Sequence, residues 1–328
     1  MSESVKAKLL KALIESGGKH MSGALLAREL SISRNAIWKA AESLRREGYS
    51  ISAATKKGYR LDNSSGSLSE AGITGYIKTT GVFTVETRKS VTSTNTILRE
   101  MAAKGAREGY VLAAEEQTAG RGRQGREFYS PPGCGAYFSA LLRPRLKAGD
   151  ASLVTSAAAV AAARAIEEIT GVSVGIKWVN DLYYKDKKVC GILTEANFDM
   201  ESGLADSIVI GIGINITRPK NGFGAALDDV AISLTEETEG KENTQCRIIA
   251  ATLDNFWKYY KNLQLREFLR EYRQRSTVLG REIYILSGKE KKIASAISID
   301  DECRLVARYE NGEIVTLNSG EVRVRSSQ

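Results

Sequence analysis

The stretch GRGRQGR at residues 120–126 sets three guanidinium groups, Arg121, Arg123 and Arg126, between Gly120, Gly122 and Gly125. The glycine spacing fits the dinucleotide fingerprint G-x-G-x-x-G. That fingerprint has physical content only where a strand enters it, a helix leaves it and an acidic side chain follows for the ribose. The preceding YVLAAEE is apolar enough for a strand, but EFYSPPGCGAYFSALL, broken at Pro131, Pro132 and Gly133, cannot open a helix. No Asp or Glu lies between Glu127 and Asp150. The context excludes a dinucleotide loop and leaves a flexible backbone studded with cations, suited to enclosing an anion.

Three further clusters carry polar chemistry. Ser93, Thr94 and Asn95 stand at a helix start, Gln117 precedes the arginine loop, and Lys177, Asn180, Asp181 and Lys188 flank a hairpin. Each alone has an ordinary structural explanation: a cap, an edge-strand residue, a solvated face. Beside the arginine loop they form a candidate site. The single histidine, His20, falls in the N-terminal segment, so Ser-His-Asp or Cys-His chemistry in the main body would lack its base. Positioning and electrostatics must carry the reaction. Cys134, Cys190, Cys246 and Cys303 are scattered without C-x-x-C spacing, which argues against a disulfide scaffold or zinc site and for the cytoplasm.

A chain of 328 residues, 42% hydrophobic, is expected to hold two or three folded units. Its net charge of +8 favours polyanionic partners over membranes, and no apolar run approaches bilayer-spanning length. SVKAKLLKALIES and SGALLAREL read as two helices, the second capped by Ser22. SISRNAIWKAAESLRREG reads as a third, with Ser33 as cap, Ile37, Ala40 and Leu44 as its apolar stripe and Gly48 as its stop. This is a helix-turn-helix pattern whose third helix shows Arg34, Asn35, Trp38 and Lys39 outward. YSISAATKKGYRL adds a hairpin with Lys56 and Lys57 at its tip, a wing. LDNSSGSLSEAG is linker-like in composition.

The body intermixes helices and strands. A helix capped by Ser93 or Thr94 and stopped at Gly105 precedes the strand YVLAAEE. AYFSALLRP is another strand, and ASLVTSAAAVAAARAIEEITG is a helix so rich in alanine that it is expected to pack closely on a sheet, ending at Gly171. VSVGIKWVNDLYYKDKKVCGILTEANF alternates like two strands about Asp186, and SIVIGIGINI reads as a buried strand. CRIIAATLDNFWKYYKNLQLREFLREYRQR is a long amphipathic helical region. Short alternating strands follow, with turns at Ser287-Gly288 and Asn311-Gly312, as in a small barrel. The fold class expected is α+β.

STN, EEQTAGRGRQGR, KWVNDLYY, KKVCGILTE and GIGINI occur in order. With the N-terminal winged helix, nearly the whole chain resembles the bifunctional biotin protein ligase/biotin operon repressor family. The resemblance implies a winged helix-turn-helix at 1–62, a linker at 63–68, a class II synthetase-like mixed-sheet catalytic domain at 69–277 and an SH3-like barrel at 278–328. It implies that biotin and ATP give biotinyl-5'-AMP, and that biotin passes to a lysine of the biotin carboxyl carrier protein of acetyl-CoA carboxylase. It also implies repression at the operator of biotin genes by an adenylate-bound homodimer. Lys188 and Arg123 are then catalytic. Ser93, Thr94, Asn95, Gln117, Gly120, Arg121, Gly122, Phe128, Tyr137, Lys188 and Gly191 face biotin. Arg123, Arg126, Lys177, Asn180, Asp181, Asn215, Glu321 and Arg325 face the nucleotide, with Asp181 toward Mg²⁺. Ser33, Arg34, Asn35, Trp38, Lys39, Lys56 and Lys57 face DNA. Two departures stand out: Phe128 where the family often carries Trp, and Gln124 where it carries a basic residue. The alternatives are a ligand-sensing repressor without ligase activity and a lipoate-type ligase.

Overall fold

The computed structural model describes residues 4–54, 57–62, 68–199, 201–234, 243–287 and 290–325. Three helices open the chain, α1 (Val5–Glu15), α2 (Gly23–Glu29) and α3 (Arg34–Arg46). Ser4, Ser22 and Ser33 cap them, each side-chain oxygen accepting from a first-turn N–H at 3.1–3.2 Å, which satisfies donors a helix leaves orphaned. Leu9, Leu10, Leu13, Leu26, Ile37 and Leu44 form their shared core. A two-stranded hairpin, β1 (Ile51–Ala54) with β2 (Gly58–Leu61), completes this head. Gly58 has φ +92, and a Cβ there would fall 2.0 Å from the Met21 carbonyl oxygen, so only glycine lets the hairpin bridge to the start of α2. Lys57 lies beside that hairpin's tip, whereas Lys56 lies outside the described residues.

A short helix, α4 (Glu70–Tyr76), is shared between units. Ala71 belongs to the head's core and Ile73 to the body's. Leu68, which composition placed in a linker, is buried in the body's core. Tyr49 of the head meets the Ser69 hydroxyl at 3.2 Å across this seam, and burial pushes its phenol far up from the usual range.

The body is built on β3 (Thr84–Val91), β4 (Tyr110–Gln117), β5 (Gly135–Leu142), β6 (Gly175–Lys177), β7 (Asp181–Tyr184), β8 (Lys187–Phe198) and β9 (Ala205–Asn215). They form one mixed sheet in the order β3-β4-β5-β9-β8-β7-β6. Only β3 and β4 run parallel, joined through α5 (Thr94–Ala103). The region expected as two strands about Asp186 holds three, because Gly175–Lys177 pairs back on Asp181–Tyr183. Strand alternation sorts β9 into two faces. Ile208, Ile210, Ile212 and Ile214 join the main core, while Val209 packs with Leu98, Ala102 and Leu141 under α5.

The alanine-rich helix α6 (Ala151–Thr170) ends at Gly171 with φ 79, in the left-handed conformation. It touches β8, but its broadest contact is with another helix, α7 (Thr244–Tyr260), rather than with the sheet. Small side chains signal close approach without saying to what. The long helical region breaks after Tyr260, where Arg266 takes φ 52, before α8 (Leu269–Gln274).

Five strands close the chain: β10 (Glu282–Ser287), β11 (Glu290–Ile299), β12 (Leu305–Tyr309), β13 (Ile314–Leu317) and β14 (Glu321–Val324). They form an antiparallel sheet ordered β13-β12-β11-β10-β14. Its core is continuous with the body's through Ile283, Ala296, Leu305 and Val322. The indole of Trp178 donates to the Cys303 carbonyl at 2.9 Å across the join. The molecule is therefore α+β, with a helix-turn-helix head, a mixed central sheet and a C-terminal antiparallel sheet. Among the described residues no helix is long and apolar enough to cross a membrane.

Candidate active site

The arginine loop is a tight hairpin. Phe128 N–H donates to the Gly120 carbonyl at 2.8 Å and Gly122 N–H to that of Arg126 at 2.7 Å. Gln124 and Gly125 turn the chain with φ 56 and 74. Gly120 serves this closure: a Cβ there would fall 2.3 Å from the Phe128 carbonyl oxygen. The loop arches over the face of the sheet and encloses, with β7–β9 and β14, a cavity of about 1150 Å³.

At one end of the cavity, Ser93 caps α5 and a polar network follows. Gln117 Oε1 accepts from Thr94 N–H at 2.9 Å and from its hydroxyl at 3.1 Å, while Gln117 Nε2 donates to Ser130 at 2.9 Å. Ser139 Oγ lies 2.7 Å from Thr94 Oγ1 and 2.6 Å from Asn95 Oδ1. Asn95 Nδ2 donates to the Leu193 carbonyl at 3.2 Å and to Glu195 Oε2 at 2.9 Å. Buried donors and acceptors with fixed partners make a rigid floor. Phe128 covers it, edge-on to Tyr137 at 6.4 Å between centroids.

At the other end the cations gather. Lys188 Nζ lies 2.7 Å from Asp181 Oδ1 and 6.0 Å from the centroid of the Phe128 ring. Arg123 donates to Asn180 Oδ1 at 3.1 Å, Arg121 lies 3.2 Å from Glu195, and Arg126 pairs with Glu321. Lys177 donates to the Tyr183 hydroxyl at 3.1 Å. Its pKa is pushed down, chiefly by burial. Asn215 donates to the Ile232 carbonyl at 3.2 Å and Arg325 to Glu282 at 3.3 Å.

Every residue expected to face biotin or the nucleotide lines this cavity except Gly120 and Tyr137. Gly120 acts on the loop's backbone, and Tyr137, buried behind Phe128, gives its hydroxyl to the Pro131 carbonyl at 3.2 Å. Other contributors went unread. A Cβ at Gly211 would sit 2.0 Å from Asn95 Oδ1, and one at Gly213 would sit 2.4 Å from the Phe128 ring. Glycine inside a strand marks such approaches. Phe223 and Val230 also line the cavity, and Lys188 N–H donates to the Val230 carbonyl at 2.8 Å. A phenylalanine between glycines in NGFG was the available signal.

On the head, Ser33, Arg34, Asn35, Trp38 and Lys39 are all exposed. Trp38 shows 52% of its surface, whereas Ile37, Ala41 and Leu44 of the same helix are buried.

The Biotin/lipoate A/B protein ligase family profile matches residues 87–215, an HTH domain profile residues 5–60, and the Biotin protein ligase C terminal domain profile residues 278–325. The chain is 36% identical over 270 residues to the "Bifunctional ligase/repressor BirA" of Bacillus subtilis, covering 82% of each. The chain belongs to the bifunctional biotin protein ligase/repressor family. Another relative, the bifunctional ligase/repressor BirA of Escherichia coli, is 28% identical over 327 residues, 97% of each chain. Among solved structures, the biotin protein ligase from Aquifex aeolicus in complex with biotin and ATP superposes with TM-score 0.59 at 30% identity. That match covers 74% of this chain and 99% of the other. The family is thus a ligase and repressor in one chain, and this chain carries a helix-turn-helix ahead of the ligase body.

Proposed function

We propose that the cavity joins biotin to ATP and that the product then biotinylates a lysine of a biotin carboxyl carrier protein. A biotin carboxylate oxygen bonds to the α-phosphorus as the bond from that phosphorus to the bridging oxygen breaks, releasing pyrophosphate and leaving biotinyl-5'-AMP. The lysine amine then bonds to the acyl carbon, AMP departs and the nitrogen loses a proton. The nucleophile of the first step is already an anion, so that step needs charge neutralisation and alignment rather than a base. The observation carrying this reading is that Lys188 and the three loop arginines face one cavity beside the Thr94–Asn95–Gln117 network.

In this reading the network, with Ser93, Gly122 and Gly191, holds the ureido ring, whose carbonyl and N–H groups require both donors and acceptors. Phe128 covers the apolar chain. Lys188 bridges the carboxylate and α-phosphate, and Arg123, Arg126, Lys177, Asn180, Asn215, Glu321 and Arg325 serve the nucleotide. Among the described residues no cluster of three or more His, Cys, Asp or Glu can cage a metal. Asp181 Oδ1 is buried without a hydrogen-bond partner, although it pairs with Lys188. One such carboxylate fits a largely hydrated Mg²⁺ arriving with phosphates, and Asp181 would hold it. Bound there, Mg²⁺ supplies charge neutralisation at the phosphates.

Residues 1–62 act as a biotin-responsive repressor head at the operator of biotin genes, as a homodimer when adenylate is bound and in the cytoplasm. Exposed Arg34, Asn35 and Lys39 on a capped helix are the types that reach phosphates and base edges. Biotin-dependent exchange of labelled pyrophosphate into ATP tests the ligase reading. No exchange overturns it, and exchange supported by lipoate instead of biotin reassigns the acid.

A further inference from the structure

Glu195 ends the hairpin motif that begins at Lys188, and no step of the adenylation uses its carboxylate. Yet its side chain is only 17% exposed and both oxygens are engaged. Oε2 accepts from Asn95 at 2.9 Å. Oε1 lies 2.9 Å from Arg99 Nη1 and 3.2 Å from Arg121 Nη1. A part-buried carboxylate must be paired, and this pairing joins three pieces of chain. Asn95 and Arg99 sit on successive turns of α5, Glu195 on β8, and Arg121 at the entry of the arginine loop. Directly beyond Arg121 the loop has its own hairpin bond at Gly122, and its tip at Gly125 has nothing within 4 Å of where a Cβ would be. The carboxylate therefore ties down the loop's stem, while beyond Gly122 the loop is held by Arg123 on Asn180 and Arg126 on Glu321.

We propose that Glu195 is a positioning residue for the acid substrate, latching the loop at Arg121 to the start of α5 so that closure pivots beyond Gly122. This rests on the ligase reading above. Its loss should loosen the loop and weaken acid binding more than it slows turnover.

The test uses full-length Glu195→Gln, Arg121→Met and the double variant. In ligand-free protein, tryptic cleavage after Arg123 is expected to speed about fivefold in either single variant, the scale of a partly exposed, charge-assisted pair. KM for biotin should rise by a similar factor with kcat changed less than about twofold, and the double variant should match the singles. Unchanged cleavage and KM, or effects that multiply in the double variant, overturn the latch. So does faster cleavage spread across the whole chain, which would report general destabilisation. Should Glu195→Gln fail to fold, cleavage after Arg123 in the half-exposed Arg121→Met decides, since Arg121 itself faces the acid site and its KM would move in either case. If the wild type showed no biotin-dependent exchange, the ligase reading would fall, while the cleavage comparison would still judge the latch.

Discussion

Replacing Gly211 by alanine tests the floor of the site. The added methyl carbon would sit 2.0 Å from Asn95 Oδ1, 2.8 Å from its Cγ and 3.1 Å from its Nδ2. Comfortable contact lies beyond ~3.3 Å, so the amide must retreat by more than about 1 Å. Asn95 is buried, and its amide is fixed by Ser139 at 2.6 Å, Glu195 at 2.9 Å and Leu193 at 3.2 Å. Retreat breaks at least the first two. A neutral hydrogen bond contributes about 1 kcal/mol and one to a charge about 1.5–3, while overpacking alone costs about 1–3 kcal/mol. These overlap, and about 3 kcal/mol is expected as lost stability in urea unfolding, with biotin affinity down at least about tenfold. Gly211→Ala combined with Asn95→Ala should be within about 1 kcal/mol of Asn95→Ala alone, because the methyl then enters vacated space. A Gly211→Ala protein within about 0.5 kcal/mol of wild type would refute the reasoning.

Lys188→Ala should slow adenylate formation by about 10²–10³-fold while biotin binding, measured by titration, falls less; an unchanged rate of pyrophosphate exchange would remove the lysine from its role. Arg126, hydrogen-bonded to Glu321, holds that carboxyl below the usual glutamate range. A lowered folded-state pKa contributes stability above the unfolded value of about 4.3 that is lost as pH falls through the folded one. Glu321→Gln should therefore be destabilised by at most about 1 kcal/mol near neutrality and converge on wild type in acid, as followed by thermal melts across pH; a gap that widens in acid would reverse the sign. Arg34→Ala should weaken DNA binding across sequences and lower the salt slope by about one if it meets a phosphate, and a slope unchanged in gel shifts at graded salt would place Arg34 away from the backbone.

What was legible in the sequence was local. Serines ahead of α2 and α3 announced caps, Gly171 announced a helix end, and the glycine–arginine loop announced an anion site because its neighbours forbade a helix. What stayed hidden depends on which faces meet. Tyr137 has the right type and place for a substrate wall, but Phe128 lies in front of it. Gly211 and Gly213 read as strand residues until β9 is seen to turn that face toward Asn95 and the Phe128 ring. Glu321 is separated from Arg126 by most of the chain, and only the antiparallel return of β14 beside β10 brings them together. The alanines of α6 reported a close neighbour truthfully, yet no single-sequence pattern distinguishes β8 from α7 as that neighbour.

Several cations line one cavity, five of them on the loop and on β6–β8, and like charges so arranged repel. Each of the five is held by something internal: Arg121 by Glu195, Arg123 by Asn180, Arg126 by Glu321, Lys188 by Asp181, and Lys177 by the Tyr183 hydroxyl. An entering anion gains only the difference between its own oxygens and the partner it displaces. That difference is largest where the internal partner is a neutral dipole, at Arg123 and Lys177, and smallest where it is a carboxylate. The three carboxylates, Glu195, Glu321 and Asp181, are largely buried, so their pairs are partly shielded from solvent screening. Arg123 and Lys177 are therefore the groups with most to gain from a phosphate, whereas Arg121, like Arg126 and Lys188, must give up a carboxylate to reach one. The loop's stem and tip are in this way assigned different work by the charges they face, the one staying anchored while the other exchanges partners.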